Sequence, residues 1–440
     1  MLSIKKCIKI FLPERIKKTL RVMRQKITPF EEYMIIKVQP LRHKRALKRV
    51  KNKSKRDKIK VAFFAIHSSV WKYDGVYRLM EEDERFDPIV VVCPVVNYGK
   101  KNMLEEMEKT YKLFEHKGYN VIKTYNKKDD NYLDVKKEIA PDIIFYTNPH
   151  QLTKEEYYIT RYKDTLSCYT QYSFHVTHLN EIQYNQLFHN ILWKAFYETD
   201  IHKKMACQYS RNKGKNVTIT GYSGIDSFNY GDRIGKDVWK HPDENLRRII
   251  WAPHHTIEKD ELSYSSFLIY HQVMLDIVEK YKEKIQIAFK PHPLLKVKLN
   301  KHYEWGQKRT EDYYKKWEDC KNGQLETDAY VALFNTSDAM VFDSASFIAE
   351  YLYCGKPSLF TLSDLDVKDR FNEFGKLAYE QHYHACNETD IVNFFENVVC
   401  VGRDIMKENR DIFYANYLIP PNNKTASENI YYELCKEIFK

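Results

Sequence analysis

The sequence has no Gly-x-Gly-x-x-Gly after a strand pattern and no Gly-x-x-x-x-Gly-Lys-Ser/Thr. Both motifs carry backbone amides up to a phosphate, so their absence disfavours nicotinamide enzymes and P-loop nucleotidases. The nine cysteines (7, 93, 168, 207, 320, 354, 386, 400, 435) include no Cys-x-x-Cys pair. That argues against a structural zinc and for reduced thiols in the cytosol. No fixed-period repeat or low-complexity tract interrupts the 440 residues, which removes repeat architectures. In the first sixty residues the apolar runs, 8–12 and 33–36, are far too short for a secretory leader or a membrane span.

Acidic residues are scarce in one place only. Residues 1–60 hold 21 Lys and Arg against 4 Asp and Glu, a net of +17, so the rest carries −6 of the overall +11. Within that segment Ile4, Ile8, Phe11 and Leu12 lie at helical spacing among Lys5, Lys6, Lys9 and Arg15. Such a basic helix suits an anionic membrane surface; a solvated charged tail is the bland alternative. No recognisable nucleic-acid module accompanies the basic tract, so nucleic acid is not expected as a partner. At 43% hydrophobic and 14% aromatic, the chain is globular and long enough for two domains.

Short apolar runs predict strands at 59–66, 88–93, 120–124, 142–147 and 216–220, with helices at 102–117 and 184–209 between them. A second series follows: strands at 248–251, 285–289, 339–342 and 357–362, a helix at 265–282, an irregular aromatic stretch at 302–317 and a closing helix at 427–439. Strands alternating with helices imply parallel sheets covered on both faces. The fold class is therefore α/β, with two Rossmann-like doubly wound domains facing across a cleft. The expected division is a basic extension at 1–58, an acceptor-side domain at 59–240 and a nucleotide-binding domain at 241–440, with the linker at 226–246, where the pattern breaks into Gly, Asp and Asn.

Three strand ends in the second half carry the chemistry. The run 285–289 ends in Lys290-Pro291-His292-Pro293, whose prolines stop the strand and stiffen the loop. The run 339–342 ends in Asp343-Ser344-Ala345-Ser346, where Ser344 is the expected N-cap of a helix closed by Gly355 and Pro357. The run 248–251 ends in Pro253-His254-His255-Thr256. In a parallel sheet these ends line one crevice, where cations, hydroxyls and a helix start would meet a phosphate. Glu350, four residues after Ser346 on the same helical face, is a candidate for ribose hydroxyls. Asp364-Leu-Asp366 reads as a solvated turn, and no carboxylate or cysteine has metal-like spacing beside the histidines, so neither a metal nor any other cofactor is expected.

These motifs, in this order, resemble the CDP-glycerol glycerophosphotransferase family, which builds teichoic acids and related glycerol-phosphate polymers. The stretches 183–199 and 220–224 are similar to its capsule-associated members, so the likeness spans about 160–360. It implies a GT-B fold and a transferase that moves glycerol phosphate, or a related polyol phosphate, from a CDP-activated donor to a hydroxyl of a polyprenyl-linked or capsular acceptor. It also implies a peripheral place at the inner face of a bacterial plasma membrane. On that reading His254, His255, Thr256, Lys290, Asp343, Ser344, Ser346 and Glu350 hold the donor, and His292 acts on its phosphate. The acceptor-side Trp-His-Gly-type motif of better-known members is missing, which leaves His67, His175 and His178 as candidate bases. Two other readings stay open: a GT-B glycosyltransferase using a UDP- or CMP-sugar, and a non-catalytic nucleic-acid or scaffold protein acting through its basic arm.

Overall fold

A computed structural model describes residues 28–97, 99–226, 238–243, 245–258, 262–327 and 330–440. The predicted basic helix at 4–15 and most of the predicted linker lie outside the described residues.

The chain builds two parallel sheets. The first has strands β1 (Ile59–Ala65), β2 (Phe86–Val92), β3 (Val121–Lys123), β4 (Ile143–Tyr146), β5 (Leu166–Thr170), β6 (Lys194–Tyr197) and β7 (Val217–Ile219), in the order 3-2-1-4-5-6-7. The second has β8 (Arg247–Ala252), β9 (Ile285–Phe289), β10 (Gly323–Leu325), β11 (Ala339–Phe342), β12 (Ser358–Thr361) and β13 (Tyr383–Ala385), in the order 10-9-8-11-12-13. Every ladder in both sheets is parallel. The central strands are buried on both faces, as helices on either side of a parallel sheet require. The strand order reverses between β1 and β4 in the first sheet and between β8 and β11 in the second. In open α/β sheets the crevice beyond such a reversal is where ligands bind.

Four expectations change. The predicted helix at 184–209 contains strand β6, preceded by the short helix Leu187–Ile191 and followed by Asp200–Tyr209. β5 (Leu-Ser-Cys-Tyr-Thr) escaped prediction because its Ser, Cys and Thr dilute the apolar signal. The irregular stretch at 302–317 is largely helix Gly306–Asp319, whose Tyr313, Tyr314 and Trp317 form the buried face. Finally, helix Ala426–Phe439 does not close the second domain. It begins with a Thr425/Glu428 capping box, and its Ile430, Leu434 and Ile438 join Ile59, Val61, Val76 and Tyr77 in the first domain's core.

Helix Pro29–Lys53 lies on the same domain. Ala46 and Val50 enter the first domain's core, Gln39 donates to the Lys163 carbonyl at 2.8 Å, and Lys53 pairs with Asp142. Its other face is exposed and mixed: Phe30, Tyr33, Met34, Val38 and Leu41 stand beside Lys37, Lys44, Arg45 and Lys48. Among the described residues no helix is long and apolar enough to cross a membrane.

Candidate active site

Three of the predicted histidines meet at the reversal point of the second sheet. His254 and His255 follow β8 and His292 follows the adjacent β9; their ring centroids are 4.3 Å (254–255), 5.1 Å (254–292) and 4.2 Å (255–292) apart. Two backbone bonds lock the loops together, from the Lys290 amide to the Trp251 carbonyl (2.7 Å) and from the His292 amide to the Pro253 carbonyl (3.0 Å). Lys290 is buried beside them and its charge helps to hold His292 neutral. Burial first, then the neighbouring rings and lysines, pushes His292 down to about 3 and His254 well below the usual histidine range.

The hydrogen bond at the His292 Nδ1 fixes what that ring offers. The loop expected at 290–293 is instead a helix start: Pro293 is the first residue of helix Pro293–Lys301, and His292 is its N-cap, accepting the Leu294 amide on Nδ1 at 3.1 Å. An amide only donates, so the ring proton of neutral His292 sits on Nε2. At His254, Nδ1 lies 2.9 Å from Thr256 Oγ1, which already accepts the Tyr264 amide at 3.0 Å. With its second lone pair and its proton both available, the threonine hydroxyl can serve either tautomer of His254. The nitrogens of the three rings lie within 4.8 Å of one another, close enough for a divalent cation. A metal-binding histidine, however, gives up its other ring N–H to an acceptor. At His292 that nitrogen accepts an amide instead, so the ring presents an Nε2–H group, which suits an anion better than a metal.

Asp343, after β11, faces the loops rather than the crevice. Its carboxylate accepts the amides of His254 and Ser266 and the Ser266 hydroxyl, so it braces the β8 loop from below. Burial raises it to about 6 against those bonds. The capping role expected of Ser344 is not seen. The helix starts later, at Phe347, with Ser346 at the N-cap position in helical geometry and no side-chain cap bond. The Ser344 carbonyl instead accepts the Phe347 amide at 3.2 Å, because residues 344–346 already form a turn. Gly355 does take the left-handed conformation expected at the helix end (φ 66°). Glu350 is buried and engaged across the domains: it accepts the Tyr222 hydroxyl at 2.5 Å, with the Lys72 ammonium 4.0 Å away.

The three first-domain histidines separate clearly. His175 is buried, its ring packed on Tyr184 and Tyr197, and burial with the nearby His202 pushes its pKa well below the usual range. His67 is half-buried, with Nδ1 3.2 Å from the Glu106 carboxylate. His178 is exposed and lies against the second domain: its backbone amide and its Nδ1 both meet the Arg370 carbonyl at 2.9 Å. A carbonyl only accepts, so His178 carries its hydrogen on Nδ1 and a lone pair on Nε2. Its tautomer is the opposite of that at His292. The same Arg370 carbonyl accepts the Tyr264 hydroxyl at 2.8 Å, and Tyr264 packs edge-on to His254. One carbonyl thus links His178 of one domain to Tyr264, and through its packing to His254, of the other.

Sequence reasoning missed Glu198, just past β6 and buried beside His202. Burial raises its carboxyl from an ordinary 4.5 to about 8, against bonds from the Glu198 and His175 amides. Between those values the folded chain holds a proton that the unfolded chain lacks. This group therefore favours folding most at low pH, and its contribution declines as pH rises towards 8. Glu198→Gln is expected to raise the melting temperature at pH 8, by the equivalent of roughly 4 kcal/mol, and to change it far less at pH 5. Melting curves at the two pH values check this.

Comparison with known proteins places the fold. No family model matches the sequence, and no curated protein matches it. Among solved structures, a variant of the wall teichoic acid polymerase TagF superposes with TM-score 0.58 at 14% identity, over 91% of this chain and 98% of that one. UDP-GlcNAc 2-epimerase from Neisseria meningitidis, bound to UDP-GlcNAc, gives 0.56 at 16% identity, covering 86% of this chain and 100% of that one. The S. aureus MnaA–UDP structure gives 0.54 at 14%, covering 87% and 97%. The fold is GT-B-like. At these identities the likeness fixes the architecture and leaves the chemistry to the site.

Proposed function

We propose that the protein is a transferase that moves glycerol phosphate, or a related polyol phosphate, from a CDP-activated donor to a hydroxyl of a cell-surface polymer precursor. The observation that carries this reading is the pairing of opposite histidine tautomers at the domain boundary: an Nε2–H on His292 at the reversal point of the second sheet, and a lone pair on His178 Nε2. His254, His255, His292 and Lys290 would hold the donor's phosphates, with the hydroxyls of Ser344 and Ser346 on the neighbouring strand end. The acceptor hydroxyl would give its proton to His178 Nε2 while its oxygen bonds to the β-phosphorus. The bond from that phosphorus to the bridging oxygen breaks, and CMP leaves with the electron pair. Charge grows on the departing phosphate, where fixed N–H groups and a buried ammonium stabilise it most. His175 and Glu350 drop out of the expected roles on this reading, the first because it is buried and the second because Tyr222 occupies it.

The test is transfer of labelled glycerol phosphate from CDP-glycerol to a polyprenyl-linked or capsular acceptor, alongside a thermal-shift panel of CDP, UDP, CMP and GDP. A ligand at a hundred times its Kd stabilises by about 2.7 kcal/mol, so the preferred base shows as the largest shift. Transfer with a CDP preference supports the proposal. A UDP preference without transfer supports a nucleotide-sugar enzyme instead, the reading favoured by the UDP-bound structures of similar fold.

The same reading places the protein at an anionic membrane surface, where a lipid-linked acceptor would be presented. What supports it is the exposed face of helix Pro29–Lys53, apolar at Phe30, Met34, Val38 and Leu41 and basic at Lys37, Lys44, Arg45 and Lys48. Replacing Phe30, Met34 and Leu41 together by serine is expected to weaken binding to vesicles containing anionic lipid by tenfold or more at unchanged melting temperature. Co-sedimentation at two salt concentrations measures it.

A further inference from the structure

Besides the Tyr222–Glu350 contact and the stacking of Phe174 on Phe374, the domains meet through a stretch of backbone. Thr177 and Phe371 form an antiparallel bridge. On either side of it the His178 amide meets the Arg370 carbonyl (2.9 Å) and the Asn372 amide meets the Val176 carbonyl (2.8 Å). The Asn372 side chain does two things at once: its Nδ2 donates to the His175 carbonyl, and its Oδ1 accepts the Gly375 amide at 2.8 Å as the N-cap of helix Glu373–Tyr379. Arg370 is itself pinned, through its guanidinium to Asp364 (2.6 Å), the Ser263 carbonyl (2.9 Å) and Ser363 (3.3 Å). Helix Glu373–Tyr379 can come this close only because position 375 is glycine. A Cβ there would stand 2.3 Å from the Val176 carbonyl oxygen, a backbone atom that cannot swing aside.

We infer that residues 370–375 of the second domain are a positioning element for His178: the Arg370 carbonyl selects its Nδ1–H tautomer, and Gly375 permits the approach that brings the carbonyl there. The lone pair on His178 Nε2 then exists as a fixed feature only while the domains are joined at this bridge. With the domains apart, the ring is an ordinary exposed imidazole free to exchange tautomers and to turn away. The role of His178 as base rests on the function proposed above; the selection of its tautomer does not, and the two are tested separately.

The experiment compares wild type with Gly375→Ala and Asn372→Asp in the full chain. The aspartate keeps the cap on the Gly375 amide but sets an oxygen against the His175 carbonyl. Ring tautomers are read by long-range ¹H–¹⁵N correlation on ¹⁵N-histidine protein, with His178→Gln identifying the resonance. Wild type is expected to show Nδ1–H at His178. Both variants should shift that signal towards the Nε2–H form, leave the His254 and His292 signals in place, and lower kcat at least tenfold with the Kd for CDP within twofold. Wild-type His178 in the Nε2–H form, or variants that keep both its signal and wild-type turnover, overturns the inference. If wild type transfers nothing from CDP-glycerol, the functional reading fails, while the tautomer signals still decide this one.

Discussion

His292→Asp is expected to keep the melting temperature of the parent while lowering kcat by about 10²–10³, the usual cost of losing one preorganised donor to a transition state. The structure separates the two jobs of this residue. Through Nδ1 it caps helix Pro293–Lys301, and its ring, with the hydrogen on Nε2, packs against His254 and His255. Aspartate is among the best N-caps, so it takes over the first job. In place of the second it sets a negative charge where a phosphate would bind. Alanine performs neither job: it should cost about 1 kcal/mol of stability from the lost cap in addition to the activity. Melting curves and initial rates of the three proteins test the order, with aspartate matching wild type in stability and alanine below both. A His292→Asp protein that turns over at close to the wild-type rate means that the donor phosphate lies elsewhere.

The second large effect is on the other side of the cleft. His178→Gln is expected to lower kcat by about 10²–10⁴, the range a positioned general base contributes, with CDP binding intact. Glutamine can still donate to the Arg370 carbonyl, so the domain contact survives, but it has no basic lone pair for a hydroxyl proton. His178 is exposed, which leaves little reason for the fold to suffer. His67→Gln is the control: its ring meets Glu106 in the first domain and has no part in the bridge. If the losses are reversed, His67 is the base.

The strand ends that carry the donor histidines were legible in the sequence because each is a continuous apolar run stopped by proline, and 285–289 was placed to the residue. Their convergence was legible too, since carboxyl ends of parallel strands share a crevice. The chemistry at each ring was not. Whether a histidine donates or accepts depends on what meets its Nδ1, and at His178 that partner is a carbonyl 192 residues away. At His292 a signal was available and was read differently: a polar residue before Pro-Leu-Leu is a helix N-cap with proline at the first position, whereas the prolines had suggested only a stiff loop. The bridge at 370–375 carries no motif, because it is made of main-chain atoms, one asparagine side chain and the absent side chain of Gly375. Glu198 was hidden for a related reason, lying within a stretch whose periodicity read as one long helix.

The return of helix Ala426–Phe439 to the first domain has a consequence for how the chain is made. The first-domain core that holds Ile59 and Val61 of β1 and Val76 and Tyr77 of helix Asp74–Glu82 is completed by Ile430, Leu434 and Ile438, which leave the ribosome only after the entire second domain has been synthesised. Until then that core lacks one of its walls, at roughly 5–20 residues per second for ten seconds or more. The order of completion is therefore the reverse of the order of synthesis: the second domain can close on its own contacts while the first, made earlier, still waits for its last helix.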